Sequence, residues 1–310
     1  MLKDTGTRKP NIAIASGKGG TGKTTVAVNL ALTLAGKNNG ASYIDCDVEA
    51  PNGHLFLSPQ IEKTKRTTLL VPQVDIELCD KCGKCSEICH FGAIVAMRKK
   101  VLTYPELCHS CGGCQLVCPQ KAITEVEREI GTIESGHARG LRVITGRLNV
   151  GEASAVPLIR AVKAEMSEES LSILDAPPGT SCPVIEAIRG TDYVVLVTEP
   201  TPFGMNDLML AVETTRKMSL PFGVVINRSD LGDDQVERYC RDQNIPVLAS
   251  IPFSREISET YAQGLPLIDH IPVQAKLFEK LSETVVAKAL QHSRQASVHQ
   301  PQSVLGGTVL

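Results

Sequence analysis

Three sets of residues have types and spacings that could carry chemistry. The first is Gly17-Lys18-Gly19-Gly20-Thr21-Gly22-Lys23-Thr24, which matches G-x4-G-K-[ST]. Glycines at this spacing let backbone N–H groups close around phosphate oxygens at a helix start. Lys23 would then bridge the β- and γ-phosphates, and the Thr24 hydroxyl would ligate Mg²⁺. Gly17, Gly19 and Gly22 also spell G-x-G-x-x-G, with Asp45 and Asp47 about 20 residues on, so a dinucleotide site competes. That alternative gives Lys23-Thr24 no use. The second set is eight of the eleven cysteines, in two matched runs. Cys79, Cys82, Cys85 and Cys89 follow C-x2-C-x2-C-x3-C, and Cys108, Cys111, Cys114 and Cys118 repeat it 29 residues later. The surroundings repeat too: Glu77-Leu78 matches Glu106-Leu107, and Ala93-Ile94 matches Ala122-Ile123. Thiolates at this density suit iron–sulfur clusters, with two zinc sites as the alternative. The third set is the carboxylates closing short apolar runs: Asp45 and Asp47, and Asp175 after Leu171–Leu174.

These residues need elements to position them. Residues 11–15 read as a buried strand and Thr24–Ala35 as a helix, with a turn at Asn39-Gly40 before a strand over Ala41–Asp45. From about 60 to 70 the helix–strand alternation is lost, and the cysteine segment occupies 71–126. Alternation resumes with strands at Leu171–Leu174, Tyr193–Thr198, Gly223–Ile226 and Pro246–Ser250, and helices at Asn206–Lys217 and Glu279–Gln291. Strands separated by helices imply crossover units. The fold class is therefore α/β, a doubly wound, mostly parallel sheet. Its domain is discontinuous, 1–70 plus 127–290, around an inserted small α+β domain at 71–126, with 291–310 as a flexible tail.

Bulk properties exclude some roles. A formal charge of −2 and a pI near 6.4 give no global attraction to nucleic acid or anionic lipid. Trp is absent and aromatics are few, so no stacking platform for single strands is expected. No stretch has the roughly 20 apolar residues of a membrane span. The N-terminus is polar and has no secretory pattern. Cysteines without such a signal suggest a reducing cytoplasm.

The cysteine spacing is similar to that of two-cluster bacterial ferredoxins. The resemblance implies that Cys79, Cys82, Cys85 and Cys118 hold one [4Fe–4S] cluster, and Cys108, Cys111, Cys114 and Cys89 the other. Pro119 follows Cys118 as in that pattern, whereas His90 stands after Cys89. The phosphate loop, with Lys18 added, resembles the deviant P-loop of the MinD/ParA/nitrogenase-iron-protein superfamily. Membership implies ATP hydrolysis in a nucleotide-sandwich homodimer, with Lys18 reaching the partner's phosphates; the bland reading of Lys18 is a solvated loop lysine. It further implies nucleotide contacts from Gly17, Gly19, Gly20, Thr21, Gly22, Lys23, Thr24 and Thr25. Asp47 would position the attacking water, and Asp45 would join the Mg²⁺ shell with Thr24. Asp175 would be the Walker B carboxylate, Gly179 would answer to the γ-phosphate, and Asn227 would contact adenine. Asn227 as a strand-end cap is the alternative. Cys182 has an offset similar to a cluster-bridging cysteine of the nitrogenase iron protein, but it also reads as an ordinary small side chain, as do Cys46 and Cys240.

The whole chain resembles MinD-superfamily ATPases that carry an inserted ferredoxin domain. Three functions are therefore expected to compete. One is an ATPase coupling nucleotide state to low-potential electron transfer, with a redox partner protein. Another is an iron–sulfur carrier or assembly ATPase with an acceptor protein, and the third is a MinD/ParA-like positioning ATPase with redox-sensing clusters. Membrane positioning needs a basic amphipathic C-terminal helix. After Gln291 only Arg294 is basic apart from histidine, so no membrane insertion and no nucleic-acid partner are expected.

Overall fold

The computed structural model describes residues 8–37 and 40–298. The chain opens with β1 (Asn11–Ser16), α1 (Lys23–Gly36), β2 (Ala41–Asp45) and the single turn α2 (His54–Leu57). The long strand β3 (Gln60–Val74) leads into a small segment holding α3 (Lys84–Ile88), β4 (Ile94–Ala96), β5 (Val101–Thr103) and α4 (Gly113–Leu116). β6 (Ile123–Ala138) leads out of it and turns back as β7 (Leu141–Leu148). Alternation then runs through α5 (Val156–Ala164), β8 (Leu171–Pro178), α6 (Cys182–Ile188), β9 (Tyr193–Thr198), α7 (Pro202–Lys217), β10 (Phe222–Asn227), α8 (Gln235–Asp242) and β11 (Val247–Ile251). The helices α9 (Arg255–Ala262), α10 (Leu267–His270) and α11 (Pro272–Val298) close it.

Among the described residues nine strands form one sheet, ordered β11-β10-β9-β1-β8-β2-β7-β6-β3. From β11 to β7 every pairing is parallel; β6 and β3 add two antiparallel pairings at one edge. The parallel strands are apolar runs because helices cover both faces. Val26, Leu30, Phe278 and Val285 of α1 and α11 pack on one side. Leu158, Val184, Leu208 and Val236 of α5 to α8 pack on the other. Register places Asp45 beside both Asp175 and Thr145, so the two carboxylates share the carboxyl edge of the sheet.

Two expectations change. Residues 60–70 are not irregular but belong to one continuous strand. Gln60–Arg66 lie exposed at the sheet edge, so no inside–outside alternation marks them, and their Glu and Lys/Arg residues suit an open edge. The closing helix is longer than Glu279–Gln291: it starts at Pro272, an apt first-turn residue, and continues to Val298. The rest of the expected tail, 299–310, lies outside the described residues, as do the polar N-terminal residues 1–7 and Asn39 of the expected turn. No described helix is long and apolar enough to cross a membrane.

β3 and β6 outlast their neighbour. β6 pairs with β7 only from Gly131 to Ala138, ending opposite Leu148, while β3 stays paired to β6 as far as Val74 and Ile123. The outer pairs, Thr68 with Glu129 through Val74 with Ile123, therefore form a two-stranded arm about 20 Å long. It leaves the same carboxyl edge that carries Asp45 and Asp175. At its base Thr67 faces Gly131 but Thr68 faces Glu129, so Ile130 is a bulge residue, with its side chain buried in the core. A Cβ on Gly131 would lie 2.3 Å from the Arg147 carbonyl oxygen, which leaves no room for a side chain.

The cysteine segment sits on the arm's tip, and its backbone repeats with its sequence. Positive φ recurs 29 residues apart at Lys81 and Ser110, Gly83 and Gly112, and Gly92 and Lys121. α3 and α4 begin 29 residues apart, and so do β4 and β6. The β4–β5 pair thus has its counterpart in the tip of β3–β6. One hairpin of the repeat is the end of the arm itself. Gly131→Ala is expected to cost about 1–3 kcal/mol through overpacking, measured as a lower urea midpoint with unchanged slope.

Candidate functional site

The glycine loop after β1 delivers Lys23 as the first residue of α1. Gly22 precedes it at φ 89°, and a Cβ there would meet the Asn227 amide at 2.3 Å. Only glycine fits, and the close approach is used: Asn227 Nδ2 donates to the Thr21 carbonyl at 2.9 Å. The end of β10 is therefore stitched to the loop. Lys23 is buried and its Nζ lies 2.6 Å from Asp175 Oδ1 and 3.8 Å from Asp47 Oδ2. Tyr43 OH donates to the other oxygen of Asp175 at 3.0 Å. Asp45 accepts N–H bonds from Asp47 and Gly53, each at 3.2 Å, and so folds the loop after β2. Gly179, at φ 97°, donates its N–H to the Ser16 carbonyl at 2.9 Å and ties the end of β8 to the loop.

These residues surround a cavity of about 390 Å³. Lys18, Gly19, Gly20, Gly22, Lys23, Thr24, Thr25, Asp47 and Asn227 line it; Asp45 and Asp175 are fully buried beneath. Its far half is apolar, with Ile251, Pro252, Phe253 and Tyr261. A polar half next to an apolar half has the dimensions of a nucleotide site. Asn52 lines the cavity and its buried Oδ1 has no partner, as expected where a ligand completes the bonding, whereas Gly17 and Thr21 do not line it.

Three carboxylates crowd one ammonium here. Burial, then the Asp175 charge, pushes Asp45 up to about 8. Burial pushes Asp47 up to about 6, with Lys23 opposing and Asp175 adding to the rise. For Lys23, burial pulls downward, but Asp175, Asp47 and Asp45 outweigh it and the net shift is upward. Lys18 is held differently: its Nζ lies 2.5 Å from Glu199 Oε1, while Arg228 takes Glu199 Oε2 at 3.0 Å. Glu199, Tyr43 and Asn52 carry no motif; the available signal for Glu199 is its position just past the carboxyl end of a parallel strand.

The eight cysteines of the runs gather in two quartets. Cys79, Cys82, Cys85 and Cys118 line one cavity, with Lys81, Lys84 and Ile123. Cys89, Cys108, Cys111 and Cys114 line a second, with Phe91, His109 and Glu125. Phe91 and His109 stack with centroids 3.6 Å apart. Backbone N–H groups already point at sulfur, from Ser110 to Cys108 at 3.4 Å and from Ala122 to Cys118 at 3.3 Å. Among the described residues no three Cys, His, Asp or Glu side chains gather closely enough to hold a single ion. Four thiols lining each cavity are a donor set whose chemistry suits an iron–sulfur cluster. All eleven cysteines are free; Cys46 and Cys240 are buried, and Cys182 is exposed at the first turn of α6. His90 is exposed and lines neither cavity.

The model of the CobQ/CobB/MinD/ParA nucleotide binding domain matches residues 12–267. An uncharacterized protein of Methanocaldococcus jannaschii is 34% identical over 285 residues, 88% of this chain and 97% of its own length. An iron-sulfur cluster carrier protein of Pyrococcus horikoshii is 24% identical, covering 90% of this chain and 86% of its own. The fold is similar to that of the septum site-determining protein MinD of the same organism, complexed with Mg-ADP. That likeness has a TM-score of 0.57 and 21% identity over 89% of this chain and 96% of the other.

The raised carboxyls fix a sign. A carboxyl whose folded value lies above its unfolded one keeps its proton preferentially in the folded state, so stability falls as pH rises between the two values. Protein without nucleotide is expected to lose thermal stability from about pH 4 to about pH 8, as Asp47 and then Asp45 ionise. Asp47→Asn should flatten the part below about 6, read by calorimetry across that range.

Proposed function

The chain belongs to the CobQ/CobB/MinD/ParA nucleotide-binding family, and from that premise we propose an ATPase whose nucleotide state gates low-potential electron transfer. Hydrolysis would occur in a nucleotide-sandwich homodimer. Lys23 would neutralise the β- and γ-phosphates and Thr24 would hold Mg²⁺, with Asp175 and Asp45 behind it. Asp47 would accept a hydrogen bond from the attacking water. Gly19, Gly20 and Gly22 would present N–H groups, and the apolar half of the cavity beyond Asn227 would take the base. The two cysteine quartets fit [4Fe–4S] groups, which supply one-electron chemistry at low potential. We assign 71–126 as the module that holds them and 1–70 with 127–290 as the ATPase body, in a cytoplasmic setting.

One observation carries the coupling. Leu148 N–H donates to the Val48 carbonyl at 2.9 Å, and Asn149 N–H donates to the Ile130 carbonyl at 2.9 Å. The loop holding Asp47 is thereby bonded to the strand end beside the bulge where the cysteine-bearing arm begins. This supports movement of that loop reaching the module through a rigid path. A second reading, cluster carriage, is favoured by the carrier proteins among the relatives.

Lys18 adds a condition. It would have to leave Glu199 to reach a partner's phosphates. Lys18→Ala is expected to keep nucleotide affinity but lose dimer formation with a non-hydrolysed ATP analogue, read by light scattering; an unchanged dimer would remove its assigned role. Lys23→Ala should abolish nucleotide binding and leave about eight irons per chain after anaerobic purification. Stoichiometric zinc in the purified protein would reject the cluster assignment. The decisive measurement is the reduction rate without nucleotide, with ADP and with the analogue. Equal rates, together with transfer of clusters to an apo acceptor, would favour the carrier.

A further inference from the structure

The two cysteine quartets are not equivalent in their surroundings. The quartet of Cys79, Cys82, Cys85 and Cys118 shares its cavity with Val74 and Ile123, the last pair of the arm. The other quartet is level with Pro72 and Glu125, two residues closer to the sheet. The first therefore lies farther along the arm; each quartet has one exposed cysteine, Cys82 in the first and Cys111 in the second.

Its rim is basic. Lys81 and Lys84 line the cavity, and Ala96 and Val101 beside them carry the turn that presents Arg98, Lys99 and Lys100. That turn is closed by Met97 N–H donating to the Lys100 carbonyl at 2.8 Å, and all five cations are exposed. Among the described residues none of the five forms an ion pair. The nearby carboxylates are partly committed: Asp75 accepts from Glu77 N–H, and Asp80 accepts from Cys82 N–H and the Gln120 amide. Glu77 and Glu87 are the remaining acids of this part of the segment. Within the rim lie apolar side chains in solvent, Ile76 at 73%, Leu78 at 57% and Met97 at 46% exposure. The inner quartet differs, with the stacked Phe91–His109 pair and Glu125 at its cavity.

A small apolar patch beside a turn of three consecutive exposed cations, Arg98 to Lys100, with no acid in the chain between Glu87 and Glu106, suits a transient, electrostatically steered contact. We propose that this outer face is the docking surface for an acidic electron-carrier protein, which would set its redox centre against the exposed edge of the outer quartet. The proposal rests on the iron–sulfur reading of the quartets. Nucleic acid, the other polyanion such a rim could attract, fits less well, because the stacked aromatic pair lies at the inner quartet rather than here.

The test uses the full-length, anaerobically purified holoprotein and oxidised flavodoxin, an acidic FMN protein, as the probe. Association is followed by anaerobic biolayer interferometry at rising salt, with duplex DNA and the basic protein cytochrome c as comparators. The variant is Arg98→Glu/Lys99→Glu/Lys100→Glu, which removes three cations without touching a residue next to a cysteine. Wild type should bind flavodoxin at low salt, lose that binding steeply as salt rises, and ignore cytochrome c. The variant's association rate should fall about tenfold or more and lose most of its salt dependence. Its iron content, visible spectrum and ATP hydrolysis should match wild type, which separates docking from folding. Unchanged association in an iron-replete variant would overturn the docking surface alone, as would preference for cytochrome c or for DNA. Absence of iron from wild type would overturn the cluster reading, and this proposal with it.

Discussion

The buried ion pair between Lys23 and Asp175 governs the rest of this molecule. It forms where a helix start and a strand end meet, and it is the nearest neutralisation available in a site holding one ammonium and three carboxylates. Desolvated like charges cannot all ionise at modest cost, so Asp45 and Asp47 hold protons at pH values where surface aspartates would not. A divalent cation relieves the same imbalance better than protons do. The loop after β2, anchored by Asp45, thus folds around an excess of negative charge that a bound divalent cation would relieve. Everything connected to that loop inherits its sensitivity.

Local chemistry was legible in the sequence, and tertiary company was not. The loop from Gly17 to Thr24 could be read because its glycines and lysine must be contiguous. The two cysteine runs could be read because their repeat is strict, and the structure groups Cys118 with Cys79, Cys82 and Cys85 around one cavity. Glu199 escaped notice because its partners, Lys18 and Arg228, are 181 and 29 residues away. Tyr43 reads as a plain strand residue until β2 and β8 lie side by side. The edge strand β3 was missed for a physical reason: Gln60–Arg66 face solvent throughout, and a strand without a buried face leaves no alternation to find.

The long helix α11 teaches the same lesson from the other side. Its inner part packs Phe278, Leu281, Val285 and Ala289 against α1 and the sheet, a spacing that marks a helix clearly. Its polar continuation carries no such stripe, so composition alone suggested a tail. Helical hydrogen bonding can propagate past the residues that nucleate it.

The shared hairpin at the arm's tip has a consequence for how the chain could have been assembled and how it can be cut. A module joined by flexible linkers can be moved between proteins without regard to phase. This one cannot, because its last strand pair is the continuation of β3 and β6. In a strand, successive side chains face opposite sides, so adding or deleting one residue in each of β3 and β6 between the bulge and the module would turn the module over, both quartets with it. Insertions of two residues in each strand would keep its face and lengthen the reach. The orientation of eight cysteines is in this sense counted out, residue by residue, by an arm that contains none of them.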